Sequence, residues 1–186
     1  LLILAPILLV FIVYVNLAVW ILYSSKFLVI EPMMQWAAMG VMLKAASWPI
    51  GFIFVPKGDA RLFLICEITM NVMHFCLSVA GYYFYGLEGL GLGFLIAYVL
   101  YWIQVVTVAR WRYGFAYGAP FLKLLALQFS LGLMCLASVR LLDSPWSYVV
   151  GTVFIVISTA HSLRELDTRL GLKSVVQRVR ERLGKR

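Results

Sequence analysis

The residues of this sequence that could do chemistry are polar side chains inside long apolar runs. Lys44 lies about halfway along one of these runs, and Ser47 shares its helical face. The next run carries Glu67, Asn71 and His74 at helical spacings of four and three residues. A charge near the centre of a bilayer costs about 2.5–3.5 kcal/mol on insertion scales, so it usually faces protein or a wet cavity. We therefore predict that these side chains line a substrate cavity.

The depths of these side chains are similar along their helices. At a rise of about 1.5 Å per residue, Lys44 lies about 16 Å from the end of its run, and His74 about 18 Å into the next one. Three interpretations remain open. Lys44 and Glu67 could form a structural ion pair, with Asn71 and His74 as interhelical hydrogen-bonding groups. Lys44 could instead present its charge to an anionic substrate, or Glu67 and His74 could take part in proton coupling.

Pro49 and Gly51 interrupt the run that carries Lys44. Proline removes a backbone hydrogen-bond donor and kinks a helix, and glycine makes the same turn more pliable. Because broken helices in transporters often mark a binding site or a hinge, both residues are hinge candidates. A fixed packing kink is the alternative interpretation.

The composition predicts the medium in which these helices lie. Hydrophobic residues make up 63% of the chain and charged residues 13%, against about 45–50% and about 25% in soluble domains. Lipid must therefore be the solvent of most of this surface. The net charge of +8 does not indicate a nucleic-acid partner, because lysine and arginine lie between the apolar runs and at the C-terminal end.

Six apolar runs are long enough to cross a bilayer as helices. We predict an all-α integral membrane protein with transmembrane helices over residues 1–23, 32–55, 62–85, 90–109, 120–142 and 146–162. Residues 1–163 form its transmembrane region. Residues 164–186 form a basic amphipathic tail, for which we expect either a position on the inner leaflet, in contact with membrane lipids, or a solvated end.

The distribution of charge predicts the orientation of the helices. Most basic residues, among them Lys57, Arg61, Arg110 and Arg112, lie on the same side as the C-terminal residues. The positive-inside rule places that side, including the C-terminus, in the cytoplasm. The chain begins without an initiator methionine, so we expect it to be a C-terminal piece that follows an even number of helices.

Signals for enzymes and metal sites are missing from the sequence. Cys66, Cys76 and Cys135 lie inside apolar runs without CxxC spacing, which disfavours disulfides and zinc. No metalloprotease motif or nucleophile elbow is present, so we expect no catalytic residues, no metal and no cofactor. The glycine-rich stretch 86–93 follows no soluble strand, so a tight turn with close helix packing explains it better than a phosphate loop.

Three stretches, residues 21–27, 47–64 and 86–110, resemble polysaccharide flippases of the O-antigen translocase type. They include Ser47-Trp48-Pro49-Ile50-Gly51-Phe52 and Gly86-Leu87-Glu88-Gly89-Leu90-Gly91. These flippases belong to the multidrug/oligosaccharidyl-lipid/polysaccharide exporter superfamily. The resemblance implies the C-terminal half of a 12- or 14-helix bundle built from two related halves, in the bacterial cytoplasmic membrane.

The resemblance also implies a function. Such flippases move polyprenyl-diphosphate-linked oligosaccharides for O-antigen and lipopolysaccharide synthesis, often with a coupling ion such as a proton or sodium. A cationic cavity would suit the diphosphate, and Lys44 is the residue that we expect to supply the charge. The alternatives are a drug/cation antiporter of the same superfamily, a membrane-embedded enzyme of envelope assembly, and a structural membrane protein.

Overall fold

The structure, a computed structural model, describes residues 1–22, 25–143 and 145–170, and in these residues it contains helices but no strand. The long helices are α1 (Leu4–Leu22), α2 (Glu31–Ile53), α3 (Ala60–Tyr113), α4 (Ala119–Leu141) and α5 (Trp146–Leu170). A 3₁₀ helix, Ser25–Ile30, leads into α2. All five long helices are long and apolar enough to cross a membrane. The prediction of an all-α membrane protein is therefore confirmed.

The longest helix, α3, reverses its direction at Gly86. This residue has φ 61° and ψ −139°, a conformation that glycine adopts far more readily than other residues. Beyond it the chain runs back along itself, and a Cβ added to Gly89 would overlap the carbonyl oxygen of Gly81. Gly93 packs on Leu77 in the same way, with 2.7 Å between a built Cβ and the Leu77 carbonyl oxygen. α3 is therefore an antiparallel hairpin with a first arm (60–85) and a second arm (87–113).

Most helix ends in the structure lie within four residues of the predicted ends, and the two arms of α3 correspond to the predicted helices 62–85 and 90–109. The last helix differs, because α5 continues to Leu170 instead of ending at residue 162. No glycine or proline lies between residues 163 and 170, and most residues there are leucine, arginine or glutamate, which are good helix formers. The remainder of the predicted tail, residues 171–186, lies outside the described residues.

α2 is the central helix of the bundle and packs on both sides. One face contacts α1 and α4, which in turn pack on α5, around an aliphatic cluster that includes Leu9, Ile12, Met39 and Leu131. We call this the four-helix side. The other face packs on both arms of α3 around Ile50, Phe54, Cys66, Tyr98 and Tyr101, and we call this the hairpin side.

Polar contacts hold the hairpin at both of its ends. At the base of α3, the Asp59 carboxylate accepts hydrogen bonds from the Tyr113 hydroxyl and from Arg112 Nε, the latter at 3.3 Å. These two donors, Tyr113 first, hold the pKa of the Asp59 carboxyl below its usual range. Lys57 Nζ lies 5.0 Å from the centroid of the Tyr113 ring. We call this the basic end of the bundle.

At the opposite end, Glu88 connects the tip of the hairpin to two other helices. Its Oε1 accepts a hydrogen bond from Trp36 Nε1 of α2 at 2.8 Å and from Arg140 Nη1 of α4 at 2.6 Å. The Arg140 guanidinium also lies 5.0 Å from the Trp36 ring centroid. The turn of α3 is thus held against both α2 and α4 by charge-assisted hydrogen bonds.

Candidate functional site

Lys44 lies on α2 where this helix faces the second arm of α3, and its side chain is half-buried. Its Nζ lies 5.3 Å from the Trp48 ring centroid and 5.5 Å from the Tyr98 ring centroid. Both are cation–π distances, and such contacts contribute about 0.5–2 kcal/mol depending on desolvation. Aromatic faces thus hold the ammonium in place without neutralising its charge.

Glu67, on the first arm of α3, has a tyrosine as its side-chain partner. Its Oε1 accepts a hydrogen bond from the hydroxyl of Tyr101, a buried residue of the second arm. Gly51 of α2 lies directly against this pair: a built Cβ would be 3.0 Å from the Tyr101 hydroxyl and 4.0 Å from Glu67 Oε1. Three segments meet here, and the absence of a side chain at Gly51 allows their close approach.

Lys44 and Glu67 do not form an ion pair in the described part of the chain, where each has aromatic partners instead. The rings of Tyr98 and Tyr101 are in edge-to-face contact at 6.3 Å between centroids, so the aromatic partners of the two charges contact each other. This geometry disfavours the structural ion pair among the three interpretations. It leaves the anion-binding and proton-coupling interpretations open.

His74 joins the same row of aromatic rings. Its imidazole packs edge-to-face on Phe94 at 5.3 Å, and Phe94 in turn contacts Tyr98 at 4.7 Å. We call Phe94, Tyr98 and Tyr101 the aromatic strip. The strip lies on the second arm and contacts His74, Lys44 and Glu67 in that order, so the structure brings these three predicted site residues to one interface.

Ser47 and Asn71 do not take part in this arrangement. The Ser47 hydroxyl is fully buried and donates to the Lys44 backbone carbonyl at 3.1 Å. The Asn71 side chain is exposed and donates to the Glu67 backbone carbonyl at 2.8 Å. Both hydrogen bonds stay within one helix, so the structure satisfies these side chains locally rather than through contacts between helices.

The two hinge candidates have different surroundings. α2 runs through Pro49 as one helix, and in the turn before it the Tyr117 hydroxyl donates to the Ala46 carbonyl at 2.6 Å. Gly51 is buried against Tyr101, as described above. The structure thus gives Gly51 a packing role, and a hinge motion about Pro49 and Gly51 stays a prediction.

Tyr98 and Tyr101 are functional candidates that the sequence reasoning missed. They lie in a mostly apolar stretch of the second arm, and aromatic residues in such a stretch usually belong to the core. A signal was available, because the two tyrosines lie three residues apart and can present two hydroxyl-bearing rings on one helical face. The first arm of α3, which faces them, carries the predicted polar residues Glu67, Asn71 and His74.

A buried polar cluster on the four-helix side was also missed. Gln128 of α4 is fully buried; its Nε2 donates to the Ser162 hydroxyl at 2.9 Å, and its Oε1 accepts from the Ser158 hydroxyl. The spacing of Ser158 and Ser162, one turn apart on α5, was the available signal. Each of these hydrogen bonds joins α4 to α5.

Two characterised proteins, both flippases, are similar to part of this chain. The chain is similar to the Lipid III flippase of Escherichia coli (strain K12). The two are 22% identical over 89 residues, which cover 46% of this chain and 21% of that protein. The Lipid III flippase of Shigella flexneri matches with the same identity and coverage. The matched region is thus about a fifth of the length of these relatives. No family model matches the chain, and no solved structure matches it significantly.

Proposed function

We propose that this chain is part of a transporter that flips a polyprenyl-diphosphate-linked oligosaccharide across the bacterial cytoplasmic membrane, for export of O-antigen or a related polysaccharide. The observation that carries the proposal is the position of Lys44. Its ammonium lies among aromatic rings on a membrane helix and is not paired with Glu67. The similarity to the Lipid III flippases supports the same class of function.

The chemistry of the substrate fits this position. A diphosphate carries its negative charges on a compact group, and a lysine ammonium has three N–H donors for anionic oxygens. Cation–π contacts use the charge of the ammonium but leave those donors available. Inside a membrane, where dielectric screening is weak, the attraction between Lys44 and a diphosphate would exceed that in water.

The neighbouring groups suggest how transport is coupled. Glu67 and His74 lie on the same arm of α3 and contact the same aromatic strip as Lys44. Protonation of Glu67 would remove its negative charge from the vicinity of Lys44, and a sodium ion could act on the same carboxylate. α2, with Pro49 and Gly51, would move against the hairpin as access alternates.

In the intact transporter the chain would form one wall of a larger cavity. The remaining helices of a 12- or 14-helix bundle would supply the opposite wall. We propose that the basic end of this bundle, and with it the C-terminus, lies in the cytoplasm, in accordance with the positive-inside rule. Trp48 and Phe52 of α2 are about half exposed beside Lys44 and are available to contact the substrate or the other half.

The drug/cation antiporter is the second candidate function. It would require a carboxylate free to bind a cationic drug, whereas Glu67 is engaged by Tyr101 and Lys44 adds a positive charge nearby. An envelope-assembly enzyme and a structural membrane protein have less support, because the similarity found is to a transporter.

Transport assays on variants of the intact protein test the proposal. We expect Lys44→Gln to reduce flipping of a diphosphate-linked substrate in proteoliposomes about tenfold or more, because a charged hydrogen bond is worth about 1.5–3 kcal/mol. Lys44→Arg should keep most of the activity. A cationic dye serves as the competing substrate, and its transport in place of the lipid-linked sugar would support the antiporter.

Lys57→Gln is the matched control. Lys57 also lies over an aromatic ring, that of Tyr113, but it is exposed in the loop before α3. Its replacement should leave flipping within about twofold, since it removes only an exposed charge and its contact with Tyr113. Full flipping by a folded Lys44→Gln protein would show that the proposed role of Lys44 is wrong.

A further inference from the structure

A second cavity lies between α4 and α5 at the basic end of the bundle, apart from the α2–α3 interface. Its volume is about 490 Å³, which is in the range of small-ligand sites. The lining includes three polar and three apolar side chains, namely Lys123, His161, Glu165, Pro120, Leu124 and Leu127. No residue of the aromatic strip contributes to this lining.

His161 presents a hydrogen-bond donor to this cavity. Its Nδ1 is buried and has no hydrogen-bond partner. An unpartnered N–H is rarer in protein interiors than an unfilled lone pair, so Nδ1 is better left unprotonated. The neutral imidazole then carries its proton on Nε2, which makes that nitrogen the donor. Lys123, exposed at the start of α4, adds an ammonium group.

Glu165 gives the cavity a negative charge as well. It lies one turn beyond His161 on α5 and already takes part in an interaction of its own. A carboxylate has two oxygens with about four acceptor positions, so it can accept from a further donor. The lining thus has formal charges of +1 and −1 together with a neutral donor, a combination that matches a zwitterion rather than a simple anion.

The residues along α4 follow one another in an order that suits a membrane lipid. Lys123 lies about 6 Å along α4 from Ala119, from where its long side chain can reach the headgroup level, and Leu127 lies about 12 Å along it, at the level of acyl chains. Leu127 is exposed and Leu124 is buried, so the apolar part of the cavity forms a wall along α4. Along α4, Lys123 thus precedes Leu124 and Leu127, in the order of a phospholipid headgroup and its acyl chain.

We propose that the α4–α5 cavity binds a phospholipid with a phosphoethanolamine headgroup. The phosphate oxygens accept hydrogen bonds from Lys123 and from Nε2 of His161, and the lipid ammonium donates to Glu165. An acyl chain packs on Leu124 and Leu127. The site is separate from Lys44, so its failure would leave the transport proposal unchanged.

Lipid binding by the intact protein in detergent micelles tests this assignment. The thermal unfolding midpoint is measured while phosphatidylethanolamine, phosphatidylglycerol or phosphatidylcholine is added, because a ligand of the folded state raises the midpoint. We expect phosphatidylethanolamine to bind about tenfold more tightly than the other two. Phosphatidylglycerol lacks the ammonium, and phosphatidylcholine lacks its N–H donors.

Variants test the contacts of the headgroup phosphate and of the headgroup ammonium separately. Lys123→Gln should weaken binding of both phosphatidylethanolamine and phosphatidylglycerol about tenfold. Glu165→Gln should lower the affinity for phosphatidylethanolamine to that for phosphatidylglycerol. It should not lower the affinity for phosphatidylglycerol. Arg110→Gln removes an exposed charge at the same end of the bundle, outside the cavity, and should change neither. The thermal unfolding midpoint of each variant, measured without added lipid, shows whether the variant is folded.

Three results would overturn the proposal. Tighter binding of phosphatidylglycerol than of phosphatidylethanolamine would indicate a simple anion site. Equal losses in Lys123→Gln and Arg110→Gln would indicate diffuse attraction to the basic end. Competition by soluble phosphoethanolamine at the concentration at which the lipid binds would show that the ligand is the free headgroup compound and not the lipid.

Discussion

The two sides of α2 use polar side chains differently. On the four-helix side the core is aliphatic, and its polar group Gln128 is buried with hydrogen-bonding partners at both ends of its amide. On the hairpin side Lys44 and Glu67 are only half-buried, and tyrosines are among their partners. Fully satisfied buried groups make a rigid core, whereas half-buried charges beside aromatic rings remain able to bind and release other groups.

The difference extends to the way each side is held together. The hairpin side depends on backbone contact at Gly81, Gly89 and Gly93, and on polar contacts at its two ends. The four-helix side depends on interdigitated aliphatic side chains. We therefore expect mutations on the two sides to separate stability from transport.

The largest effect is expected at the hairpin turn. Gly89→Leu places a side chain where the Gly81 carbonyl lies, and backbone at this position cannot move aside without separating the two arms. The expected loss is about 3 kcal/mol or more of unfolding free energy, or no folded protein. The yield of monodisperse protein and the thermal midpoint in detergent measure it.

Gly118→Ala is the control for this substitution. A built Cβ at Gly118 meets only Pro120 Cδ at 3.6 Å, an ordinary contact distance. Its effect should stay within about 0.5 kcal/mol. An unchanged midpoint in Gly89→Leu would mean that the arms of α3 are not in contact as described.

An intermediate effect is expected for Gln128→Ala. The substitution leaves Ser158 and Ser162 without their partner and opens a small cavity, with an expected cost of about 2 kcal/mol. Transport per folded molecule should not change, because the cluster lies away from the aromatic strip. Leu133, on the same helix, is exposed, and Leu133→Ala serves as the control, with little expected effect on stability.

Tyr101→Phe is the counterpart of this test on the hairpin side. It keeps the ring but removes the hydroxyl that donates to Glu67, so the loss of stability should be about 1 kcal/mol or less. Transport should nevertheless fall by more than in Gln128→Ala. If Gln128→Ala impaired transport more than Tyr101→Phe did, the assignment of function to the hairpin side would fail.

The smallest effect is expected from Asp59→Asn at the base of the hairpin. Because the pKa of Asp59 is lowered in the folded protein, its carboxylate contributes stability above the pKa of the unfolded state. That contribution is lost as the pH falls through the lower, folded-state pKa. Asp59→Asn should therefore lower the thermal midpoint at pH 7 and make little difference in strongly acidic buffer.

Asp143→Asn, in the loop before α5, provides the comparison for this pH series. Asp143 is exposed, and Asp59 differs from it in accepting hydrogen bonds from both Tyr113 and Arg112. If Asp59→Asn lowered the thermal midpoint by the same amount at pH 7 and in strongly acidic buffer, the loss of an ionised Asp59 would be excluded as the cause.

The sequence by itself determined the class of the protein and the positions of its helices. Apolar runs of about 20 residues must satisfy their backbone hydrogen bonds internally in lipid, so helices are their stable form. Two local features follow from residue type alone: Pro120 lies in the first turn of α4, and Gly86 forms the hairpin turn. The end of α5 was less predictable, because hydropathy marks the edge of the bilayer and not the end of a helix.

Only the tertiary structure decided which side chains meet. Helical periodicity placed Lys44 on one face of α2 and Glu67 on one face of the next helix, and a contact between them was a reasonable prediction. The second arm of α3, after its reversal at Gly86, brings Tyr98 to Lys44 and Tyr101 to Glu67. Spacing along one helix gives the face of a residue, but its partner depends on how neighbouring helices cross and how deeply each one lies.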